Sequence, residues 1–353
     1  MKILDYNPIF GTFSAGFETF DCNEVVEVVK LQKSAEYGYN RIHKQWFLHD
    51  FNHLDDFSPQ YDFDLAIFNP DVGGKLGRRG KINFYFNDFE SCLQLLKREK
   101  PKFAIFTMDS AAVELLNTSK HYVRDGFGQV SCDILIKRLQ NLGYEAYMFA
   151  LDEASYGIPL HKSFAFYIAT PKGHHFNVPK GFFTRYGRGN YLKYRTIADA
   201  IGDLGHTGEW VPYTSKPQNA YQKHIRRGME KITWHFGGRM LKDTQKETIA
   251  CIPQGSNASK TGQVKQRMGY NRPKWHSTPT YMDDKFYLTS SKGASIHPLY
   301  DRPFTFREAM RIHGLPDNLS FDLKTPRKEL AQMIDDSIAP AIGEIFAIAL
   351  GAI

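Results

Sequence analysis

The sequence predicts an α/β fold, a doubly wound parallel sheet carrying a smaller, irregular second domain, and three observations lead to it. In the first third, short apolar runs alternate with segments of helical periodicity, the pattern of strands joined by crossover helices. After Thr170 the periodicity stops, and Gly, Pro, Lys, Arg, His and aromatic residues crowd the chain as far as Lys292. From Glu329 to Ile353 apolar residues return at a helical spacing. These shifts place an α/β domain at residues 1–170, a small domain at 171–292, and a segment returning to the first domain at 293–353.

Strands are expected at Glu24–Leu31, Leu65–Phe68, Phe103–Thr107, Ala146–Leu151 and Phe164–Ala169. A helix is expected over Asp88–Lys100, where Phe89, Cys92, Leu93, Leu95 and Leu96 share one face. Val130, Ile134, Leu135 and Leu139 predict another over Val130–Leu142. The last helix rests on Leu330, Ile334, Ile338, Ile342 and Ile345. Lys180–Gly189 reads as loops and short strands. A doubly wound sheet collects its ligands at the carboxyl ends of its strands, so that edge is where function is expected.

With 353 residues and 42% apolar content, the chain can bury one large core or two smaller ones. No apolar run is long enough to span a membrane. Met1–Asp5 lacks the charged-then-apolar pattern of a signal peptide, so a cytoplasmic or nucleoid-associated protein is expected. Cys22, Cys92, Cys132 and Cys251 lie far apart without metal-ligand spacing, which fits a reduced compartment and predicts no metal. A net charge of +7 favours an anionic partner without identifying it.

Cations interleaved with rings sharpen that expectation. Arg185, Arg188, Lys193 and Arg195 alternate with Phe182, Phe183, Tyr186, Tyr191 and Tyr194, a composition that holds phosphates and stacks on bases. Lys223, His224, Arg226 and Arg227 form a second basic cluster. The alternative, in which these rings build the small domain's core and the cations merely face water, is equally open to the sequence.

Arg302-Pro303-Phe304-Thr305-Phe306-Arg307-Glu308-Ala309-Met310-Arg311-Ile312-His313-Gly314-Leu315-Pro316-Asp317 resembles a late signature block of DNA cytosine-5 methyltransferases, RPLTxREAARLQGFPD. The resemblance implies a Rossmann-like methyltransferase sheet, S-adenosylmethionine as methyl donor and DNA as partner. Asn7–Glu18 resembles the opening block FAGIGGFSLGFE, whose glycine turn lets the backbone approach the methionine part of the cofactor. Phe10, Gly11 and Phe13 are its implied cofactor residues, while Ile9 and Thr12 stand where the family has glycines. Val25–Leu31 resembles the second block, with Lys30 in place of the acidic residue that accepts from the ribose. A lysine offers donors and no acceptor. His49-Asp50-Phe51 resembles the third block, where Asp50 can still accept from the adenine amino group. Ile334–Pro340 resembles the closing IGNSVPP, with Asp336 for asparagine and Ser337 kept.

The blocks that carry chemistry depart further. Asp64–Val72 resembles DLLIGGPPC, and ungapped counting puts Val72 at the nucleophilic cysteine, or Asp71 after a shift of one residue. Neither replaces a thiolate. Gly73–Lys81 reads as a mobile basic loop whose Lys75, Arg78 and Arg79 suit backbone phosphates. Lys100–Asp109 resembles KPKxFVLENV, with Thr107 at the glutamate that holds the cytosine edge. Tyr156–Phe166 resembles YGVPQxRxRxF, with Lys162 and Phe164 at the two arginines. Thr196–Leu204 resembles TVxDAIxDLP, and His297-Pro298 precedes the Arg302 block as in the family.

These departures predict a methyltransferase-like protein inactive for cytosine-5 transfer that acts by binding DNA or a partner chain, with S-adenosylmethionine binding in doubt. The alternative is an enzyme of altered chemistry, dependent on S-adenosylmethionine or a nucleotide, drawing on Asp71, Asp109, Lys30 and Lys162.

Overall fold

The computed structural model describes residues 1–6, 11–30, 45–49, 62–70, 72–76, 82–86, 89–109, 123–125, 128–130, 132–205, 211–233, 235, 243–257, 270–279, 295–319, 321 and 325–351. Strands β1 (Lys2–Tyr6), β2 (Glu24–Lys30), β3 (Gln45–His49), β4 (Leu65–Phe68), β5 (Val72–Leu76), β6 (Ile82–Phe86), β7 (Phe103–Asp109), β8 (Val123–Asp125), β9 (Gly128–Val130), β10 (Tyr144–Asp152) and β11 (Ser163–Pro171) come from the first half of the chain. Seven of them form one sheet in the order β10-β11-β7-β4-β1-β2-β3.

The sheet is mixed α/β and mostly parallel, with β11 running against both β7 and β10. Only residues 153–162 separate β10 from β11, too few for a parallel crossover. The expected doubly wound sheet is thus present, with one antiparallel strand near its edge. The structure also supplies β1, a strand in the middle of the sheet that the apolar pattern did not announce.

Side chains alternate cleanly between two cores. On one face Tyr6, Phe68 and Phe106 stand side by side, in register and buried, with rings 6.0 and 4.7 Å apart. Helices α2 (Phe89–Glu99) and α3 (Cys132–Asn141) cover this face with Cys92, Leu95, Leu96, Leu135 and Leu139. The other face carries Ile3, Leu65, Ile67, Phe103, Ile105, Phe166 and Ile168. It is covered by α1 (Thr12–Ala15), α4 (Ile197–Ile201), α5 (Ala220–Arg226), α7 (Phe306–Ile312), α8 (Arg327–Asp336) and α9 (Pro340–Ala349), with α6 (Asp243–Ala250) farther along the chain. One apolar cluster therefore runs from the sheet into residues 197–232.

Two other expectations change. The single C-terminal helix is two, because Pro340 has no N–H and drives the residue before it out of helical geometry. Ser337 and Ala339 are extended, at ψ 147° and 138°. Val72–Leu76, expected as a loop, is a strand paired antiparallel with Ile82–Phe86.

α9 locks onto the start of the chain. A Cβ on Gly343 would fall 1.9 Å from the Phe13 carbonyl oxygen, and one on Gly16 2.1 Å from that of Pro340. Only glycines permit this approach. Among the described residues no helix is long and apolar enough to cross a membrane.

Candidate functional site at the carboxyl edge of the sheet

β1, β4 and β7 are parallel neighbours, so their carboxyl ends meet at one edge. There a buried hydrogen-bonded chain crosses all three. Ser14 Oγ of α1 donates to Asp5 Oδ2 and Asn69 Nδ2 donates to Asp5 Oδ1 at 2.9 Å. Thr107 Oγ1 donates to Asn69 Oδ1 at 2.6 Å. The structure thus joins the segment matched to the family's nucleophile stretch to the residue at its glutamate position. The groups brought together are a hydroxyl, an amide, a carboxylate and a second hydroxyl. A threonine hydroxyl is neither an acid nor a thiolate at neutral pH. Asp5, Ser14 and Asn69 drew no functional reading from the sequence, because a chain of this kind links positions far apart in it. Among the described cysteine side chains, Cys92 is buried on the opposite face of the sheet and Cys22 and Cys251 are exposed.

The cofactor side of the edge is partly closed. Gly11 is left-handed, at φ 67° and ψ 17°, and its carbonyl accepts from Ala15 N at 2.9 Å to start α1. Next to it, the buried Thr12 Oγ1 donates to Ile338 O at 2.7 Å, tying the opening segment to the closing one. Phe13, expected at the cofactor, instead packs in the core within 5.7 Å of Phe17, 5.6 Å of Phe166 and 5.4 Å of Phe346. Ser337 is buried and its hydroxyl donates to Ile334 O at 2.8 Å, while Asp336 accepts from Gln332. Lys30 ends β2. Phe10, Asp50, Asp71, Arg78 and Arg79 lie outside the described residues. Val72 pairs with Phe86 and Lys75 with Asn83 in the β5–β6 hairpin.

Two positions at this edge depart from the pattern that the resemblance implies for S-adenosylmethionine. At the end of β2, where the resemblance implies an acidic residue for the ribose, the sequence has Lys30. At the opening turn, where the resemblance implies glycine, stands Thr12, bonded across to Ile338.

Lys162 and Phe164 both point inward and so do not serve as stand-ins for arginines facing a nucleotide. Lys162 is buried, lies 4.5 Å over the Phe164 ring, and donates to Asp335 O and, at 3.0 Å, to Ser337 O, where α8 leaves its last carbonyls open. Burial pushes the carboxyl of Glu153 up to about 7 against the pull of Lys162, and its Oε1 accepts from Ala339 N at 3.0 Å. Burial likewise pushes Asp335 up to about 7. His313, 3.7 Å from Asp335, is held well below the usual imidazole range by burial.

The two basic clusters part company. Arg226, only 8% exposed, is bound to Asp203 through Nε at 2.8 Å and through Nη2, and to Ser215 O at 2.7 Å, so it is not available to a phosphate. Asp203 was not visible as its partner from 23 positions away. Arg195 donates to Gly157 O at 2.7 Å between the rings of Phe183 and Tyr221, again a structural post. Arg227 adopts φ 45° and sits 3.9 Å from Glu344. Arg185, Arg188 and Lys193 are exposed.

The Arg302–Asp317 segment is a buried charge lattice. Thr305 and Glu308 form a capping box for α7, and Glu308 also takes Arg302 Nη1 and Nη2 at 2.8 and 2.7 Å. Arg311 binds Asp317 at 2.9 and 2.6 Å and Asp203 at 2.5 Å, which holds its guanidinium charged despite burial. Arg307 donates to the Thr233, Pro316 and Leu319 carbonyls.

The sequence profile of the C-5 cytosine-specific DNA methylases matches residues 89–351. The chain belongs to that family. The family transfers a methyl group from S-adenosylmethionine and acts on DNA. The matched span begins after the opening, second and third blocks and after the nucleophile stretch. The type II methyltransferase M.DdeI of Desulfomicrobium norvegicum is 24% identical over 386 aligned positions, covering 98% of this chain and 88% of that protein. Among solved structures, an E. coli prophage protein assigned as a DNA modification methyltransferase aligns over 100% of this chain and 99% of its own, with a TM-score of 0.69 at 14% identity. The Dnmt2 methyltransferase of S. pombe aligns over 100% and 99%, with a TM-score of 0.59 at 15% identity. At these identities the likeness is one of fold, a mostly parallel methyltransferase sheet.

Proposed function

We propose that this chain uses the family's scaffold to bind DNA and does not itself carry out cytosine-5 methyl transfer. The observation that carries the reading is Thr107. It occupies the place expected for the base-holding glutamate, and its hydroxyl is engaged with Asn69. The residue counted to that position is not a carboxylate, and counting puts Val72 where the thiolate belongs. The misfit at Lys30 and Thr12 removes cofactor contacts from the same edge. The positive charge and the exposed Arg185, Arg188 and Lys193 support a nucleic-acid partner.

Calorimetric titration with S-adenosylmethionine tests the cofactor side, and no heat of binding is expected at millimolar cofactor. Micromolar binding would overturn the misfit. Transfer of labelled methyl groups to duplex DNA is expected to be absent for the native chain and for Val72→Cys alone, since Thr107 and Lys30 still depart from the pattern. Methylation by that single variant would show that the rest of the site is intact and would sink the proposal. Binding to DNA is expected to weaken steeply with added salt, as phosphate contacts require.

A further inference from the structure

The segment from Phe182 to Lys193 separates two jobs that its composition leaves mixed. Its root is fixed. Phe183–Thr184 pairs with Leu192–Lys193, and Leu192 N and Tyr194 N donate to Phe182 O and Thr184 O at 2.8 and 2.9 Å. Phe183 turns inward under Arg195, 5.0 Å from its ring, and so close to Gly157 that a Cβ there would lie 2.7 Å from the ring. Gly187 N donates to Thr184 Oγ1 at 3.1 Å, and left-handed Gly187 and Gly189 fold the tip back on itself.

The tip faces water. Phe182 is 63% exposed, Tyr186 67%, Tyr191 48% and Leu192 59%. The guanidinium carbons of Arg185 and Arg188 lie 5.6 and 5.4 Å from the Tyr186 ring centre, and Lys193 is exposed beside them. Among the described residues none of these three cations is paired with a carboxylate. Of the five rings, Phe182, Tyr186 and Tyr191 face water, whereas Phe183 and Tyr194 are half-buried.

Cations alone suffice to hold the backbone of a duplex, which hides the faces of its bases. Exposed rings set among cations match a strand whose bases are unstacked, since every base then offers a π face beside a phosphate. We infer that this loop is a stacking platform for unpaired bases, taking single-stranded nucleic acid with bases on Phe182, Tyr186 and Tyr191 and phosphates on Arg185, Arg188 and Lys193. The inference rests on the nucleic-acid partner proposed above and narrows it to a structural class.

Fluorescence anisotropy of the full chain with a labelled single strand, and with the duplex of the same sequence, provides the test. The native protein is expected to prefer the single strand about tenfold, and Phe182→Ala and Tyr186→Ala each to weaken that binding about fivefold or more. Duplex affinity should stay within about twofold in both variants, and Tyr186→Phe, which keeps the ring, should bind like the native chain. Arg185→Gln with Arg188→Gln should lower the salt dependence on both forms. Duplex binding at full strength with no effect of ring removal on the single strand would overturn the platform while leaving DNA binding in place. Failure of the native chain to bind either form would overturn both.

Discussion

The Arg302–Asp317 segment and the carboxyl edge of the sheet are both buried and polar, and they satisfy that condition in opposite ways. In the first, full charges answer full charges: Arg311 stands between Asp317 and Asp203, and Arg302 clasps Glu308. In the second, among the described residues, the Asp5 carboxylate is joined in a line to the hydroxyls of Ser14 and Thr107 and the amide of Asn69. A charge lattice cannot change one member without stranding another. The uncharged members of such a hydrogen-bonded chain are exchanged more cheaply. Chemistry can therefore leave this fold without unfolding it, and the family's signature stands clearest where the charges are buried.

That contrast can be broken by experiment. Arg311→Met should cost the most, about 3–5 kcal/mol, because it leaves Asp317 and Asp203 buried without their shared cation. Urea unfolding that shows a loss below about 1 kcal/mol would erase the distinction.

Two further buried carboxyls, Glu153 and Asp335, predict a pH dependence. Both carboxyls sit at about 7 in the folded chain, above their ordinary 4.5 and 3.8. Their contribution to stability is complete below those ordinary values and is lost as pH rises through about 7. His297 opposes them in a more acidic window. Burial lowers it from 6.5 to about 4, so its contribution is present above 6.5 and is lost as pH falls through about 4. Glu153→Gln keeps the acceptor for Ala339 N and should add roughly 1–3 kcal/mol above about pH 8, trimmed by the lost attraction to Lys162. Thermal melts across the range should show no gain at about pH 4.5. A uniform gain at every pH would assign the effect to packing instead.

The smallest effect belongs to the edge. Thr107→Ala removes one donor from Asn69 and should cost about 1 kcal/mol. A loss comparable to that of Arg311→Met would place the edge among the structural supports of the fold.

Legibility followed the same physical divide. β4 was readable residue for residue because Leu65–Phe68 is a plain apolar run between turn residues. β1 was not, because Asp5 interrupts its run, and the carboxylate is buried only by virtue of partners at Ser14 and Asn69. Periodicity carried the last helix straight through Pro340, since the apolar spacing of α8 resumes in α9. The resemblance led to Thr107 as a site residue, but gave no hint that Asn69 would hold it. Arg226 and Arg185 look alike in a sequence. Asp203 makes the first a post in the core and leaves the second at the surface.

The glycine contact between α1 and α9 bears on the order of events during synthesis. Phe13 completes its packing against Phe346, so the opening third of the chain waits for nearly the whole remainder to be made. Until α9 is made, Phe166 lacks the Phe346 ring that packs 4.7 Å from it. Docking of α9 on α1 joins segments more than 300 residues apart, a contact of high sequence separation and therefore a slow one to form.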